Sequence, residues 1–345
     1  MKNLHVGKQS ILFENCPSIL AHSAVGGKKE REGPLRQYFD HTQSDTKYNQ
    51  KTWEKAECKL QELALDAAKR KANLRYEDLD VIFAGDLLNQ CISSAFSARQ
   101  TGRPFLGLYG ACSTMAESLL LAAAAVDGGY ARTAAALTSS HFASAERQYR
   151  FPLGYGAQRP PTSQWTVTGS GCCLVGTADR GPYIRGATIG RIEDLGIRDA
   201  NNMGAAMAPA AYSTLRAHFN DFHLNVEDYD LIVTGDLGEL GKQILLDQFQ
   251  KDGVRLEGRY DDCGVMIFDH QRQDVHAGGS GCGCSASVLG GYLLTKMERG
   301  ELKKLLFCAT GALMSPVSAW QGESIPGICH AVSITLEKEG FLWNM

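Results

Sequence analysis

Apolar residues recur at helical spacing in a segment that follows an irregular, charged start of the chain, residues 1–50. They stand three or four positions apart, which places them on one face of a helix; they are Trp53, Ala56, Leu60, Leu63, Ala64 and Ala67. Thr52 directly precedes this run and carries a hydroxyl that can cap a helix start. The pattern therefore predicts a helix that begins at Trp53 and packs by its apolar face.

A second pattern joins a short strand to a buried helix through a turn of small residues. Pro104–Tyr109 is an apolar stretch that predicts a buried strand, and Met115–Val126 is dense in strong helix formers. Gly110–Thr114 lies between them and places the thiol of Cys112 at a helix start. Unpaired amides and the helix dipole favour an anion there, either a thiolate or a ligand carboxylate. The alternative is that Cys112 is a small buried residue with a packing role.

The chain also contains an internal repeat. Residues 77–87 (EDLDVIFAGDL) and residues 227–237 (EDYDLIVTGDL) share seven of eleven positions without a gap. Each copy follows an amphipathic helix, and each contains an aspartate directly after its apolar core, Asp86 or Asp236. A match of this density indicates duplication of a structural unit.

The duplication extends to the turn that carries Cys112. Its counterpart is Gly278–Ser285, which contains Cys282 and leads into a second apolar helix, Ala286–Met297. Helices and buried strands alternate through each half, which is typical of mostly parallel sheets covered by helices. The predicted fold class is therefore α/β, with an N-terminal half (1–180) and a C-terminal half (181–345) stacked in five layers, α/β/α/β/α.

Composition narrows the classes of function. The formal net charge is −3 and no basic stripe stands out, so the sequence gives no support to nucleic-acid binding. The eleven cysteines form no C-x-x-C pair and the N-terminus lacks a signal-peptide core, so we expect free thiols in a reducing compartment. The longest apolar run, Leu119–Val126, is far shorter than the roughly 20 residues of a membrane span, which predicts a soluble protein. Cys282 and Cys284 lack the second pair of a zinc site, and we expect no metal or other cofactor.

Polar residues that follow the predicted strands are candidates for a ligand site, because α/β sheets hold ligands at strand ends. These residues are Asp86, Asn89, His141, Glu146, Arg147 and, on a late apolar segment, His330. Arg147 is the favoured partner of a carboxylate because a guanidinium group binds it bidentately, although an ion pair with Glu146 is an alternative. His141 can also be interpreted as a satisfied core histidine, and Asp86 and above all Asp236 as caps of loops or helices.

Several short motifs along the chain carry a family resemblance. They are AGDLLNQ (84–90), GACST (110–114), TSSH (138–141), AERQ (145–148), TVTGSG (166–171), MAPAA (207–211), GGSGC (278–282) and ATGALMSP (309–316). With the duplicated plan, their order resembles the thiolase and ketoacyl-synthase superfamily. The chain is similar in particular to one non-catalytic branch, the stage V sporulation protein AD family of spore-forming Firmicutes.

This resemblance implies a thiolase-like, duplicated five-layer fold and a function in sporulation. It implies binding of pyridine-2,6-dicarboxylic acid (dipicolinic acid), with calcium as a possible companion, and uptake of that ligand into the developing spore with membrane channel proteins. The ligand would lie beside Cys112, with Cys282 and the polar residues named above around it. Members of the superfamily pair through the edge strand of the first-half sheet, so we expect a homodimer, peripheral to the spore inner membrane.

The resemblance also bears on catalysis. Condensing enzymes of the superfamily combine the cysteine with two His, or with a His and an Asn, which stabilise the thioester oxyanion. Here the first partner position holds Gly235-Asp236 and the second holds Gly281–Cys284, so we expect a protein without catalytic activity. Two alternatives remain open. One is an acyl-transferring or condensing enzyme that uses Cys112 with His141 or His330, and the other is a ligand-free structural subunit of a membrane complex.

Overall fold

The computed structural model describes residues 4–149 and 159–338, and only the backbone of residues 146–149. The elements of the first half are β1 (His5–Val6), β2 (Ser10–Leu12), β3 (Ser18–Gly26), α1 (Lys28–Arg31), β4 (His41–Thr42), α2 (Trp53–Lys71), β5 (Val81–Gly85), α3 (Ile92–Arg99), β6 (Phe105–Leu108), α4 (Thr114–Asp127), β7 (Thr133–Ser140), α5 (Phe142–Tyr149), β8 (Trp165–Thr166) and β9 (Gly169–Gly176).

The second half repeats this plan. Its elements are β10 (Tyr183–Thr188), α6 (Met203–Phe222), β11 (Leu231–Thr234), α7 (Gly238–Lys251), β12 (Tyr260–Asp262), α8 (Cys263–Met266), β13 (Gly279–Ser280), α9 (Cys282–Ser287), a π-helical segment (Val288–Leu293), α10 (Leu294–Glu298), β14 (Lys304–Ala312), α11 (Pro316–Trp320) and β15 (Gly327–Thr335).

Strand pairing shows the duplication directly. The first half orders its strands β6-β5-β7-β9-β3 and the second half orders its strands β12-β11-β14-β15-β10. In both, the first three strands are parallel and the last two pairings are antiparallel. The two sets meet where Tyr183 of β10 pairs with Ser18 of β3, which joins them into one mixed sheet. The two copies of the sequence repeat occupy equivalent places, since each forms a 3₁₀ turn followed by the strand β5 or β11.

The helices and the two sets of strands pack as layers. Helices α2 and α3 cover the outer face of the first-half strands, and α6 covers the outer face of the second-half strands with α7 packed against it. Helix α4 lies between the halves, because it contacts β5 and β7 on one side and β14 and β15 on the other, and α9 packs beside it. The predicted five-layer α/β class is confirmed.

Local predictions hold in part. The start of the chain, predicted to be irregular over residues 1–50, contributes the strands β2 and β3 to the main sheet, because its apolar segments pair with β10 and β9. Helix α2 begins at Trp53, and Thr52 Oγ1 accepts a hydrogen bond from the Lys55 amide at 3.3 Å, as a cap should. The strand predicted at Pro104–Tyr109 exists as β6, but it is not buried: it forms the edge of the sheet, and Leu106 is 54% exposed. An apolar run of four to six residues predicts a strand without showing whether a neighbour covers it.

Within residues 4–149 and 159–338, we find no helix with the length and apolar character that crossing a bilayer requires.

Candidate functional site

The Cys112 turn is built by small residues and local hydrogen bonds. After β6 the chain enters a 3₁₀ turn, Ala111–Ser113, and continues into α4. Ala111 has a φ of +50°, a left-handed conformation that is uncommon for a residue with a side chain. The Ser113 hydroxyl donates to Gly110 O, and the Thr114 hydroxyl donates to Ala111 O, each at 2.6 Å. These bonds fix the backbone around Cys112, which is buried.

The thiol of Cys112 is hydrogen-bonded to a carboxyl group of the other half. Its partner is Asp236, and the backbone amide of Gly281 also interacts with the sulfur. Burial and the neighbouring Asp236 carboxylate raise the pKa of Cys112 well above its usual value. The helix-start position therefore does not produce a thiolate here, because desolvation outweighs the favourable end of the helix dipole.

Asp236 is held at the end of β11 by donors from three segments. Its Oδ1 accepts from the Thr310 hydroxyl and its Oδ2 from the Gly281 amide, both at 2.9 Å, while the third donor is the Cys112 thiol. Burial raises the pKa of this carboxyl group to about 7 in spite of these donors. Asp236 does cap the start of α9 through Gly281, as interpreted from sequence, and it also faces the thiol.

Two glycines allow these segments to meet. Gly311 of β14 lies against the Cys112 turn, and a Cβ there would stand 2.7 Å from Gly110 O. Gly281 has a φ of +97°, and a Cβ there would stand 2.7 Å from the Ser140 hydroxyl oxygen. A side chain at position 311 would push β14 away from the turn, and one at position 281 would press the start of α9 against Ser140, in a backbone conformation that favours glycine.

Cys282 occupies the start of α9, which is the predicted second partner position. It packs with Cys112, Leu87 and Ala145 in one buried cluster. Its thiol donates to Ser139 O at 2.9 Å, and burial raises its pKa well above the usual value. The structure therefore places Cys282 beside Cys112 as a second protonated thiol.

Asp86 belongs to a buried polar network of the first half. Its carboxylate accepts from the Leu88 amide at 2.8 Å and from both the amide and the hydroxyl of Ser94, at 2.8 and 2.6 Å. Gln61 links this serine to Ser139. Asp86 thus closes the loop after β5. In the second half the loop after β11 is closed by Asp262, at the end of β12, which accepts from the amides of Leu237 and Gly238, and not by Asp236, the duplicate of Asp86.

Glu57 is a member of this network that sequence reasoning missed. It lies on the buried face of α2 and accepts from the hydroxyls of Ser139 and Ser144, at 3.0 and 2.6 Å. Burial raises its pKa well above the usual value. The sequence did contain a signal: Glu57 follows Ala56 on the helix face that also carries Leu60. A carboxylate on an apolar face needs hydrogen-bond partners.

His141 is fully buried and bound to backbone groups. Its Nδ1 accepts from the Ala143 amide at 3.1 Å, so the proton is on Nε2, which donates to Thr46 O at 2.8 Å. The ring also lies against Trp53 and Phe142. This arrangement agrees with the alternative of a satisfied core histidine.

His330 and Asn89 form hydrogen bonds with residues that do not belong to the Cys112 cluster. His330 Nδ1 accepts from the Gly190 amide at 3.1 Å, and burial lowers the pKa of this imidazole to about 4. Asn89 is exposed, and its side-chain oxygen accepts from the Tyr109 hydroxyl at 3.4 Å. The contacts described for these two residues therefore lie outside the Cys112 cluster.

Glu146 and Arg147 lie on α5, and their side chains are outside the described residues. The helix itself borders the site, because Ala145 belongs to the same buried cluster as Cys112. Their participation in ligand binding stays a prediction.

A groove of about 890 Å³ lies elsewhere on the second half. Residues 6–9, the loop around Arg191 and the outer face of α6, including Arg216, line it, and it includes none of the predicted site residues. Within residues 4–149 and 159–338, no group of three or more His, Cys, Asp and Glu side chains is placed to hold a metal ion.

Comparison of the fold defines the class of protein. The structure is similar to 3-oxoacyl-[acyl-carrier-protein] synthase III of Aquifex aeolicus VF5, with a TM-score of 0.56 and 13% identity over 92% of this chain and 99% of that chain. It is also similar to cerulenin-bound OleA of Xanthomonas campestris, with a TM-score of 0.60 and 13% identity over 94% and 97% of the two chains. The fold is therefore thiolase-like.

Sequence comparison defines the family within this class. The profile of the stage V sporulation protein AD family matches residues 7–335. Stage V sporulation protein AD of Bacillus subtilis (strain 168) is 45% identical over 326 residues, which cover 94% of this chain and 96% of that protein. The chain belongs to the stage V sporulation protein AD family, and its function is in sporulation.

Proposed function

We propose that this protein binds dipicolinic acid beside Cys112 without converting it, and that it takes part in uptake of this ligand into the developing spore with membrane channel proteins. The observation that supports a binding function is the setting of the thiol. Cys112 is hydrogen-bonded to the buried carboxyl group of Asp236, and its pKa is raised.

This setting disfavours nucleophilic chemistry. A cysteine attacks as the thiolate, and neighbouring imidazole or cationic groups normally lower its pKa for that purpose. Burial and Asp236 act in the opposite direction on Cys112. His141, the nearest candidate base in sequence, has both ring nitrogens bound to backbone groups.

The buried carboxyl group of Asp236 is compatible with an anionic ligand. A dicarboxylate carries two negative charges, so a permanently ionised neighbour would repel it. With a pKa of about 7, Asp236 is protonated in a substantial fraction of molecules at neutral pH. Arg147, on the helix whose Ala145 belongs to the same buried cluster as Cys112, supplies the cation that would bind a ligand carboxylate.

Calorimetric titration with dipicolinate tests this proposal. We expect saturable binding by the wild type, at least about tenfold weaker binding by Arg147→Ala because a charge-assisted hydrogen bond is lost, and further weakening when Cys112→Ala is added. Arg191→Ala, which alters the separate groove, is the matched control and should bind as the wild type does. Isophthalate, which has the same two carboxylates without the ring nitrogen, tests ligand specificity. Absence of heat with the wild type, or unchanged binding by the double variant, would contradict the proposal.

Incubation with acyl-coenzyme A followed by intact-mass measurement tests the enzymatic alternative. We expect no adduct on the wild type, and the Cys112→Ala variant provides the blank. An acyl adduct that is lost in Cys112→Ala would show that the thiol is a working nucleophile.

A further inference from the structure

The second half exposes an apolar surface beside the loops that lead into β15. Its side chains are Ile192 and Leu195, on the segment after β10, and Val317 and Trp320, on α11. Their exposed fractions are 60%, 70%, 60% and 83%. Single exposed apolar residues are ordinary, but four large ones on two neighbouring segments are typical of an interaction site. We call this group the Trp320 patch.

Backbone and side-chain bonds hold the two segments of the Trp320 patch side by side. Glu193 and Gly327 exchange backbone hydrogen bonds of 2.9 and 2.7 Å, and the Ile325 amide donates to Ile197 O at 2.7 Å. The Ser324 hydroxyl donates to Asp194 at 2.5 Å. Helix α11 is itself fixed by a capping box of Ser315 and Ser318. The patch is thus a formed surface that needs no rearrangement to receive a partner.

Charged residues around the Trp320 patch are mainly acidic. The two segments carry four carboxylates, Glu193, Asp194, Asp199 and Glu323, against two guanidinium groups, Arg191 and Arg198. Arg191 is paired with Glu193 at 2.6 Å, which leaves three carboxylates and one arginine outside that ion pair. An apolar centre with an acidic rim fits a partner that has an apolar centre and a basic rim.

We propose that the Trp320 patch binds a Lys/Arg-rich cytoplasmic segment of an integral membrane protein. Such proteins concentrate Lys and Arg in the loops next to their cytoplasmic membrane ends, where apolar and aromatic residues also accumulate. A bare bilayer is the less suitable partner, because anionic headgroups repel an acidic surface. The choice of a membrane protein rests on the proposed function, whereas the surface itself does not.

The patch lies close to the candidate ligand site. Gly311 of β14 stands against Gly110 of the Cys112 turn, and α11 begins at Pro316. Five residues of chain reach at most about 18 Å, so the start of α11 lies within that distance of Gly311, and Trp320 lies about one helical turn further on. This placement would bring the channel protein next to the bound ligand.

Site-specific photo-crosslinking in sporulating cells tests the proposal. We expect a photoreactive phenylalanine analogue at position 320 to link the full chain to a polytopic membrane protein, at a peptide rich in Lys and Arg. The control position is Tyr130, which is as exposed as Trp320 but lies on the turn between α4 and β7. Equal linkage from position 130, linkage to a second copy of this chain, or linkage to lipid would overturn the proposal.

Variants separate the apolar and charged contributions. With the analogue at position 317, we expect Leu195→Ser with Trp320→Ser to reduce the yield at least about tenfold, as loss of a central aromatic contact does. Asp199→Lys with Glu323→Lys should reduce it similarly, whereas Tyr130→Ser should not. Purified protein should not float with vesicles of phosphatidylglycerol and phosphatidylethanolamine, and flotation would identify lipid as the partner. Dipicolinate calorimetry is independent of these outcomes, so failure of ligand binding and failure of docking are distinguishable.

Discussion

At the scale of single residues, the feature that defines the site is the contact between Cys112 and Asp236. The sequence predicted where the thiol lies, because small residues before an apolar helix leave few alternatives. It could not predict the hydrogen bond, because the two residues come from opposite halves and meet only through the stacking of layers. The role of Asp262 was likewise hidden, because its partner Thr234 lies on another strand. The place of Glu57 on the apolar face of α2 indicated burial, but it did not identify its partner Ser139.

The raised pKa of Asp236 predicts a specific pH dependence of stability. Its folded pKa of about 7 exceeds the unfolded value of roughly 3.9, so its contribution is complete below about pH 4 and is lost as the pH rises through 7. We expect the free energy of unfolding to fall from pH 5 to pH 7. In Asp236→Asn this fall should be smaller by on the order of 1–2 kcal/mol.

Urea denaturation of both proteins at pH 5, 6 and 7 measures this difference. Cys112→Ala is the control, because it leaves the carboxyl group buried and should keep most of the pH dependence. Identical pH profiles for the wild type and Asp236→Asn would show that Asp236 is ionised in the folded protein. Glu30, whose pKa burial raises to about 7, should account for part of the remaining slope.

At the scale of elements, sequence periodicity predicted that there are two central helices, but it did not predict the exact start of the second one or the irregular segment within it. The second central helix begins at Cys282, four residues before the predicted Ala286, and contains a π-helical segment. Within that segment, Gly290 lies close to Ser23 O and Gly291 close to Tyr38 O. An apolar pattern at a spacing of 3.6 does not reveal a widened turn, because it reports only which side chains face the core.

Gly311→Ala tests how closely β14 must approach the Cys112 turn. The added methyl group would lie 2.7 Å from Gly110 O, so the turn must move or the strand must bend. We expect a loss of about 1–3 kcal/mol in the free energy of unfolding and weaker binding of dipicolinate. Denaturant titration and calorimetry measure the two effects.

Gly107→Ala is the matched control, because the added methyl group on the exposed strand β6 would meet nothing closer than the side chain of Phe105, at 3.3 Å. Equal stabilities of the two variants would mean that the approach of β14 to the turn is not needed.

At the scale of the whole molecule, the fold class followed from the sequence because the duplication repeats one plan of helices and strands. Protein partners could not be predicted from the sequence in the same way, because assembly depends on which surfaces remain exposed in the folded protein. Strand β6 is an uncovered edge, and Leu106, Tyr109 and the nearby Phe96 are exposed there. This edge supports the expected homodimer, which remains a prediction.

Leu106→Glu tests that assembly. A charge on the edge strand should prevent pairing with a second copy, as charged edge residues do in other sheets. Sedimentation velocity should show a dimer for the wild type and a monomer for the variant, with unchanged circular dichroism. Tyr130→Glu, an equally drastic change at an exposed position away from the edge, should remain dimeric. A monomeric wild type would refute the prediction.

Strand β2 has a consequence for how this chain is made. Residues 10–12 belong to the first half by sequence, but they pair with residues 186–188 of β10. During synthesis the start of the chain leaves the ribosome first and must wait for β10 before it can be placed. Long-range pairing of this kind slows folding and leaves strand edges open in the meantime. A C-terminal fragment beginning at residue 181 would keep that edge of β10 open permanently, so it should self-associate unless the N-terminal half is supplied with it.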